Sequence, residues 1–201
     1  GNLTAAQNKE TTAAIPSRLN ATFTSMYDMM YSPASTFPER KKARPDDYGF
    51  AMMDFSNDLE GSDMVTPNND YNWFSVSMEL ATRNADYANP YVRYNTPYRE
   101  VGACNEIIAS IPEGTTNSEM IQKMAQARAM RGFSYMKLAP NYQFGYVKAA
   151  DMPCIPLLKT GTDFTHNPRA TVKQVYEYIL EDLNYAVENL AGYTRPNKGY
   201  I

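Results

Sequence analysis

The spacing of apolar residues at steps of three and four is the sequence feature that most constrains the fold. The clearest case follows Thr171, where Thr171 and Gln174 have the spacing of a helix capping box. The apolar positions of this segment are Val172, Val175, Tyr176, Ile179, Leu183, Ala186, Val187 and Leu190. With Gly192 as a terminator, the pattern predicts an amphipathic helix with one buried side.

The same period occurs in four earlier segments. Apolar residues recur between Ile15 and Met30 and again from Asp47 to Leu59. A third segment has Thr96 as a candidate cap and Pro97 at the first helical position, and it ends before Pro112. The fourth begins with a capping box formed by Thr116 and Glu119 and is closed by Pro140. The fold class is therefore predicted to be all-α.

Small residues line one side of the fourth helix. They are Ala125, Ala127, Ala129, Gly132 and Ser134. We expect this side to pack closely against the helices that begin near Thr96 and Thr171. Two proline-containing regions complete the chain: an ordered surface loop over residues 61–90, and an extended strap over 151–158. We expect Tyr142, Phe144 and Tyr146 to pin this strap.

Composition excludes several classes of function. The chain of 201 residues carries a net charge of −3 with scattered basic residues, which argues against nucleic-acid binding. No run of about 18 apolar residues is present that would span a membrane. Cys104 and Cys154 lie in apolar contexts without metal-ligand spacing, so we expect buried free thiols and neither a metal nor another cofactor.

Catalytic groups are poorly represented. His166 is the only histidine, and no Ser or Cys motif marks a nucleophile. The carboxylates of Glu181 and Asp182 are sequence neighbours, which do not face one another on a helix. We therefore expect a protein without enzymatic activity. A glycosidase whose two carboxylates come from distant positions stays open as an alternative.

The loop between residues 61 and 90 is the best candidate for a binding site. Sugars offer flat C–H faces to aromatic rings and hydroxyl groups to polar side chains. One loop supplies both kinds of group in Asn68, Asn69, Asp70, Tyr71, Asn72, Trp73 and Arg83. The predicted ligand-binding residues are these from Asn69 onward. The alternative is that Trp73 and Phe74 only anchor the loop on the helical core.

Five segments in order resemble the amino-terminal part of the SusD/RagB family. They begin at Tyr98 (YREVGACNEIIASI), Ala125 (AQARAMRGFSYMKL), Asn141 (NYQFG), Met152 (MPCIPL) and Arg169 (RATVKQVYEYILEDL). Members of this family are surface-exposed, nutrient-binding lipoproteins of the outer membrane. The resemblance implies tetratricopeptide-like helix pairs joined by long ordered loops.

The resemblance also implies partners and a location. It implies a SusC-type TonB-dependent transporter as partner, glycans or other oligosaccharides as ligands, with peptides in some members, and an outer-membrane location through a lipid anchor. Because family members are about twice as long, we expect a fragment: residues 1–12 a flexible leader and 13–201 the amino-terminal helical domain. The lipid-bearing cysteine of the family has no counterpart in the sequence.

Three classes of function follow from the sequence. The first is glycan or nutrient capture for a TonB-dependent transporter. The second is a helical-repeat scaffold that binds a peptide or the transporter itself. The third is a glycoside hydrolase. Exposed aromatic and amide side chains with few titratable groups favour the first.

Overall fold

The computed structural model describes residues 4, 7, 16–31, 49–61, 88–163 and 166–194. Its main elements are helices α1 (Pro16–Asp28), α2 (Gly49–Glu60), α3 (Ala88–Ser110), α4 (Ser118–Leu138), α5 (Tyr146–Ala149) and α6 (Val172–Asn189), with strands β1 (Pro153–Pro156) and β2 (Arg169–Thr171). A 3₁₀ turn, Ala139–Asn141, follows α4. The predicted all-α fold is confirmed, with one small two-stranded sheet added.

The chain divides into two compact units. The first contains Gly1–Tyr27 and Tyr98–Ile201, and the second contains Asp28–Pro97. Nearly all of the predicted leader, residues 1–12, lies outside the described residues. Within the described residues, no helix is both long and apolar enough to span a membrane.

Helices α4 and α6 pack closely in the first unit because α4 carries a glycine at their contact. A Cβ atom at Gly132 would lie 3.3 Å from Leu183 Cδ2 and 3.4 Å from the Ile179 carbonyl oxygen. Ala125, Ala127 and Ser134 are fully buried as well. The expected close packing of this side against the helix from Thr171 is confirmed at Gly132.

The capping box of α6 forms as predicted. Gln174 N–H donates to Thr171 Oγ1 at 3.2 Å, and Thr171 N–H donates to Gln174 Oε1 at 2.9 Å. Val172, Val175, Ile179 and Ala186 are buried as predicted. Tyr178, which was not part of the predicted stripe, is buried as well, whereas Val187 is 74% exposed. The predicted stripe was wrong at Val187, because consecutive residues lie about 100° apart around a helix, so Val187 is exposed when its neighbour Ala186 is on the buried side.

Two predicted helix starts were wrong. Helix α3 begins at Ala88 and carries Pro97 inside it, so Thr96 is no cap. Contacts of the earlier turns, including the 2.6 Å ion pair between Arg93 and Glu60 in the second unit, support the longer helix. Helix α4 is capped by Asn117, which accepts from Met120 N–H at 3.1 Å, and Glu119 pairs with Lys123 instead of forming a box.

The strap is extended as predicted, and side chains of α3 and α4 hold its main chain. Tyr98 donates to the Pro156 carbonyl at 2.6 Å. The Tyr135 hydroxyl accepts from Leu158 N–H at 2.7 Å, and Asn105 donates to the carbonyls of Leu158 and Gly161. These bonds satisfy backbone groups that the short sheet leaves unpaired.

The sheet pairs β1 with β2 in antiparallel register, an arrangement the sequence did not predict. Pro153 lies opposite Thr171 and Pro156 opposite Arg169, with an irregularity between. Beyond the sheet, Val172 N–H donates to the Met152 carbonyl at 3.0 Å. The strap is therefore joined directly to the beginning of α6.

Two of the aromatic residues after α4, Phe144 and Tyr146, do not pin the strap as expected. Phe144 is 72% exposed, and the Tyr146 ring contacts Tyr176 of α6, with ring centroids 6.3 Å apart. In this stretch it is Gln143 that binds the strap, donating to the Pro153 carbonyl at 3.0 Å. The expectation was wrong because the strap offers carbonyl groups on this side, which amides and hydroxyls bind better than rings do.

In the second unit, the start of α2 lies close to the main chain at Met30. Phe50 N–H donates to the Met30 carbonyl at 2.9 Å. Gly49 has φ +44°, and a side chain there would collide with the same carbonyl. Glycine is therefore required at this close approach.

Candidate functional site

The predicted sugar-binding loop lies outside the described residues. This holds for every member of the set: Asn69, Asp70, Tyr71, Asn72, Trp73 and Arg83. Their assignment stays a prediction. The site described below is a second candidate, which the structure places in the first unit.

A groove in the first unit lies beside the amino-terminal half of α6. Its walls are Leu157 and Lys159, the segment Asn167–Ala170, and four side chains of α6: Gln174, Glu177, Tyr178 and Glu181. The groove has a volume of about 440 Å³. Small-molecule sites typically occupy roughly 300–1,000 Å³, so it can hold a ligand of one or two sugar units.

Two features form this groove: the spacing of the polar residues along α6, and the pairing of β1 with β2. Residues four and three apart share one side of a helix, so Gln174, Tyr178 and Glu181 line up along the groove. The β1–β2 pairing places Arg169 opposite Pro156, and Arg169 lines the groove together with Gln174. The Gln174 Oε1 atom is occupied by the capping box, which leaves its amide N–H groups for a ligand.

Tyr178 forms the floor of the groove and is only 8% exposed. The Arg131 guanidinium lies 5.0 Å and the Lys159 ammonium 5.2 Å from its ring centroid. Burial raises the pKa of Tyr178 to about 12, so the phenol is neutral at physiological pH. Among the described residues, its hydroxyl has no hydrogen-bond partner and can act as donor or acceptor.

Charges in the groove are unevenly paired. Within the part of the chain that the structure describes, neither Lys159 nor Arg169 has a carboxylate within ion-pair distance. The two carboxylates do have partners: Glu177 lies 4.0 Å from Lys173, and Glu181 lies 3.5 Å from Arg128. The groove therefore presents two cationic groups whose charge is not balanced by neighbouring side chains.

A buried ionic cluster supports this site from below. Asp182 is fully buried and accepts from Arg131 Nε and Nη2 and from Arg128 Nε, each at 2.8 Å. Arg131 Nη1 donates to Asn105 Oδ1 at 2.8 Å and to the Lys159 carbonyl at 3.3 Å. Burial lowers the pKa of the Arg131 guanidinium, but the hydrogen bonds and charge of Asp182 outweigh this and raise it. The cluster thus fixes the backbone at Lys159.

The neighbouring carboxylates Glu181 and Asp182 diverge, as the sequence predicted. The Glu181 side chain is 70% exposed, whereas that of Asp182 is completely buried.

His166 is 88% exposed and lies 3.7 Å from Asp163. The described residues hold no group of three or more His, Cys, Asp or Glu side chains arranged to bind a metal ion.

Sequence reasoning did not identify the groove. Lys159 follows the strap and belongs to none of the five family segments, and Arg169 opens the last of these segments without a predicted role in binding. Their approach to Tyr178 depends on the antiparallel pairing of two very short strands. The one available signal was the capping box at Thr171, which fixes the side of α6 on which Gln174 and Tyr178 lie.

The family comparison covers nearly the whole chain. Residues 5–198 match the SusD-like family described as "Starch-binding associating with outer membrane". The chain belongs to this family. No curated protein matches the chain.

Two solved structures share this fold. A SusD-like carbohydrate binding protein from Bacteroides vulgatus ATCC 8482 is 25% identical, with a TM-score of 0.73 over 91% of this chain. A SusD superfamily protein from Bacteroides thetaiotaomicron VPI-5482 is 19% identical, with a TM-score of 0.59 over 85%. This chain spans 37% and 36% of their respective lengths. The family resemblance seen in the sequence is confirmed.

Proposed function

We propose that this chain belongs to a surface-exposed protein of the outer membrane that binds glycans and delivers them to a TonB-dependent transporter. The match of residues 5–198 to a starch-binding, outer-membrane family is the observation that carries this proposal. The similarity to a carbohydrate binding protein of Bacteroides vulgatus supports it. We infer that the protein binds its ligand without chemical conversion and is held at the membrane by a lipid anchor.

Within this proposal, the loop containing Trp73 is the principal glycan-binding site. Its aromatic rings stack on the C–H faces of sugars, and Asn69, Asp70, Asn72 and Arg83 bond the hydroxyl groups. Trp73 is the only tryptophan in the chain. Its fluorescence therefore reports this loop alone.

A titration that follows tryptophan emission tests the proposal. A panel of maltoheptaose, xylohexaose and galactotriose is added to the 201-residue chain, with calorimetry run in parallel. We expect at least one neutral glycan to shift the emission with a saturable curve. Trp73→Ala should weaken calorimetric binding of that glycan about tenfold, equivalent to about 1.4 kcal/mol.

Phe144→Ala is the matched control, since it removes another aromatic ring, one that is 72% exposed. This variant should bind the glycan normally. Absence of a response to every glycan, with tight binding of a peptide or a transporter segment, would overturn the proposal in favour of a protein-binding scaffold. Release of shortened oligosaccharides by the purified chain would instead indicate a hydrolase.

A further inference from the structure

The groove beside α6 lacks a surface for stacking a neutral sugar. Tyr178 is its only aromatic side chain among the described lining residues, and that ring is 8% exposed. The Arg131 and Lys159 cations already lie near the ring, at 5.0 and 5.2 Å from its centroid. A ligand in this groove therefore depends on hydrogen bonds and charge.

The groups available for such bonds are mostly donors. Arg169 and Lys159 supply cationic N–H groups, and Gln174 supplies an amide whose oxygen is already bonded. The Tyr178 hydroxyl adds a neutral donor: the residue as a whole is 8% exposed, and its hydroxyl has no hydrogen-bond partner among the described residues. A donor set of this kind matches a ligand that carries an anionic oxygen group.

The carboxylates of the groove do not reverse this preference. Glu177 lies 4.0 Å from Lys173, and Glu181 lies 3.5 Å from Arg128. Both of these partners are cations outside the groove lining. When they are included, the groove and its surroundings keep an excess of positive charge.

The beginning of α6 supplies no free backbone donors to the groove. The N–H groups of Thr171 and Gln174 are used in the capping box. Those of Val172 and Lys173 donate to the carbonyls of Met152 and Ala150. Selectivity thus depends on the side chains of Lys159, Arg169, Gln174 and Tyr178.

We infer that the groove is a second saccharide site, which binds a uronic acid unit through Arg169 and Lys159. The sugar carboxylate pairs with Arg169 or Lys159, which both line the groove, and the ring hydroxyls bond Gln174 and Tyr178. The volume of about 440 Å³ accommodates one or two such units. This inference rests on the proposed function, because it takes the ligand to be a saccharide. It extends that function from neutral to acidic glycans.

Calorimetry with trigalacturonic acid on the 201-residue chain tests the inference, with galactotriose as the neutral counterpart. We expect trigalacturonic acid to bind with a Kd on the order of 0.1–1 mM. Arg169→Gln and Lys159→Gln should each weaken this binding about fivefold to tenfold. Because exposed charges are screened, affinity should also fall as salt rises from 20 to 200 mM.

Charge-matched controls separate the groove from the rest of the surface. Lys148→Gln removes an exposed cation outside the groove and should leave binding unchanged. Glu177→Gln should strengthen binding, because it removes a negative charge from the lining. Equal losses with Lys148→Gln and Arg169→Gln would overturn the inference, as would a loss with Glu177→Gln.

The proposals for the Trp73 loop and for the groove can be contradicted separately. The groove is supported if Trp73→Ala binds trigalacturonic acid with the affinity of the parent chain while Arg169→Gln binds it more weakly. This holds even if no neutral glycan changes tryptophan emission. A neutral glycan response at Trp73 with no binding of trigalacturonic acid overturns the groove alone. Equal binding of triglutamate, a peptide with the same carboxylate side-chain charge, would show that charge rather than the sugar is recognised and would also overturn it.

Discussion

Glu100 of α3 carries a buried carboxyl group. It is 1% exposed, and neither of its oxygens has a hydrogen-bond partner among the residues that the structure describes. Burial raises the pKa of Glu100 from 4.5 to about 8, because removal from water disfavours the charged form. The group is therefore largely protonated in the folded chain at neutral pH, while it is ionised in the unfolded chain.

This difference makes stability depend on pH. The folded-state pKa lies above the unfolded-state value, so the contribution of Glu100 to stability is fully present below pH 4.5 and is lost as pH rises to about 8. We expect a loss on the order of a few kcal/mol across this window. Urea unfolding at pH 5 and pH 8.5 should show Glu100→Gln to be more stable than the parent chain at the higher pH.

Glu106→Gln is the control for this measurement, since Glu106 is an exposed carboxylate on the same helix. Its pH dependence should equal that of the parent chain. If the free energy of unfolding of Glu100→Gln depended on pH as strongly as that of the parent chain, the buried carboxyl group would not be the source of that dependence.

At the scale of single residues, the sequence predicted the apolar positions better than the polar ones. In α3, the helical spacing of Tyr98, Val101, Cys104, Ile108 and Ile111 predicts one buried side, and all of them are buried except Ile108, which is only partly buried while Ile107 is buried. Burial of Glu100 could not be predicted, because a glutamate in a helix is ordinarily exposed.

Among the elements, α4 and α6 are joined by packing and by charge at the same place. Gly132 lets the two helices approach, and Arg131 beside it reaches the buried Asp182. Arg131 also binds Asn105 of α3 and the main chain at Lys159. Helices α3, α4 and α6 and the end of the strap thus share one guanidinium group.

Breaking this cluster should be costly. Asp182→Asn leaves Arg131 buried without a counter-charge, which typically costs about 3–5 kcal/mol. Urea unfolding followed by far-ultraviolet circular dichroism measures the change. Glu181→Gln, at the exposed neighbouring position, should change stability by less than about 0.5 kcal/mol.

The double variant Arg131→Met, Asp182→Leu gives a further check. Replacing both charges by apolar groups of similar size should recover most of the stability lost in Asp182→Asn. The buried ion pair would not explain the loss if the double variant lost as much free energy of unfolding as the two single substitutions added together.

Element types were predictable from periodicity, whereas two of the helix starts were not. Thr96-Pro97 has the composition of a helix start, yet the helix runs through it from Ala88. Asn117 and Thr116 are both good caps, and the sequence does not decide between them. The strap was predictable from its prolines, but its pairing with Arg169–Thr171 depends on contacts between distant segments.

For the whole molecule, both cysteines belong to the first of the two compact units. Cys104 and Cys154 are free and buried. Burial raises the pKa of each thiol, which lowers the reactive thiolate fraction at pH 8. Their reactivity therefore reports the opening of this unit.

We expect both thiols to react slowly with Ellman's reagent in native buffer and rapidly in 6 M guanidinium. If the unit unfolds cooperatively, the single variants Cys104→Ala and Cys154→Ala should become reactive at the same urea concentration. Labelling of Cys154 well below the midpoint for Cys104 would show instead that the strap opens separately.

The family and its fold could be predicted from five short segments, because all five follow one another along the chain in the order found in the family. The two candidate sites differ in this respect. The Trp73 loop was found from residue types alone. The groove requires residues 157–159 to lie beside residues 167–181, which the short β1–β2 pairing determines and local sequence does not.

The strap is held through its main chain, and this determines how freely its sequence can change. Tyr98, Asn105, Tyr135 and Gln143 bind carbonyl or N–H groups of the strap and the segment that follows it. Carbonyl groups are present whatever the side chain is. A different peptide of the same length and extended shape could therefore be grafted at 153–158, provided that apolar residues of similar size occupy the buried positions 154, 155, 156 and 158. The four anchoring side chains lie outside the graft and would form the same main-chain hydrogen bonds with different inserted peptides.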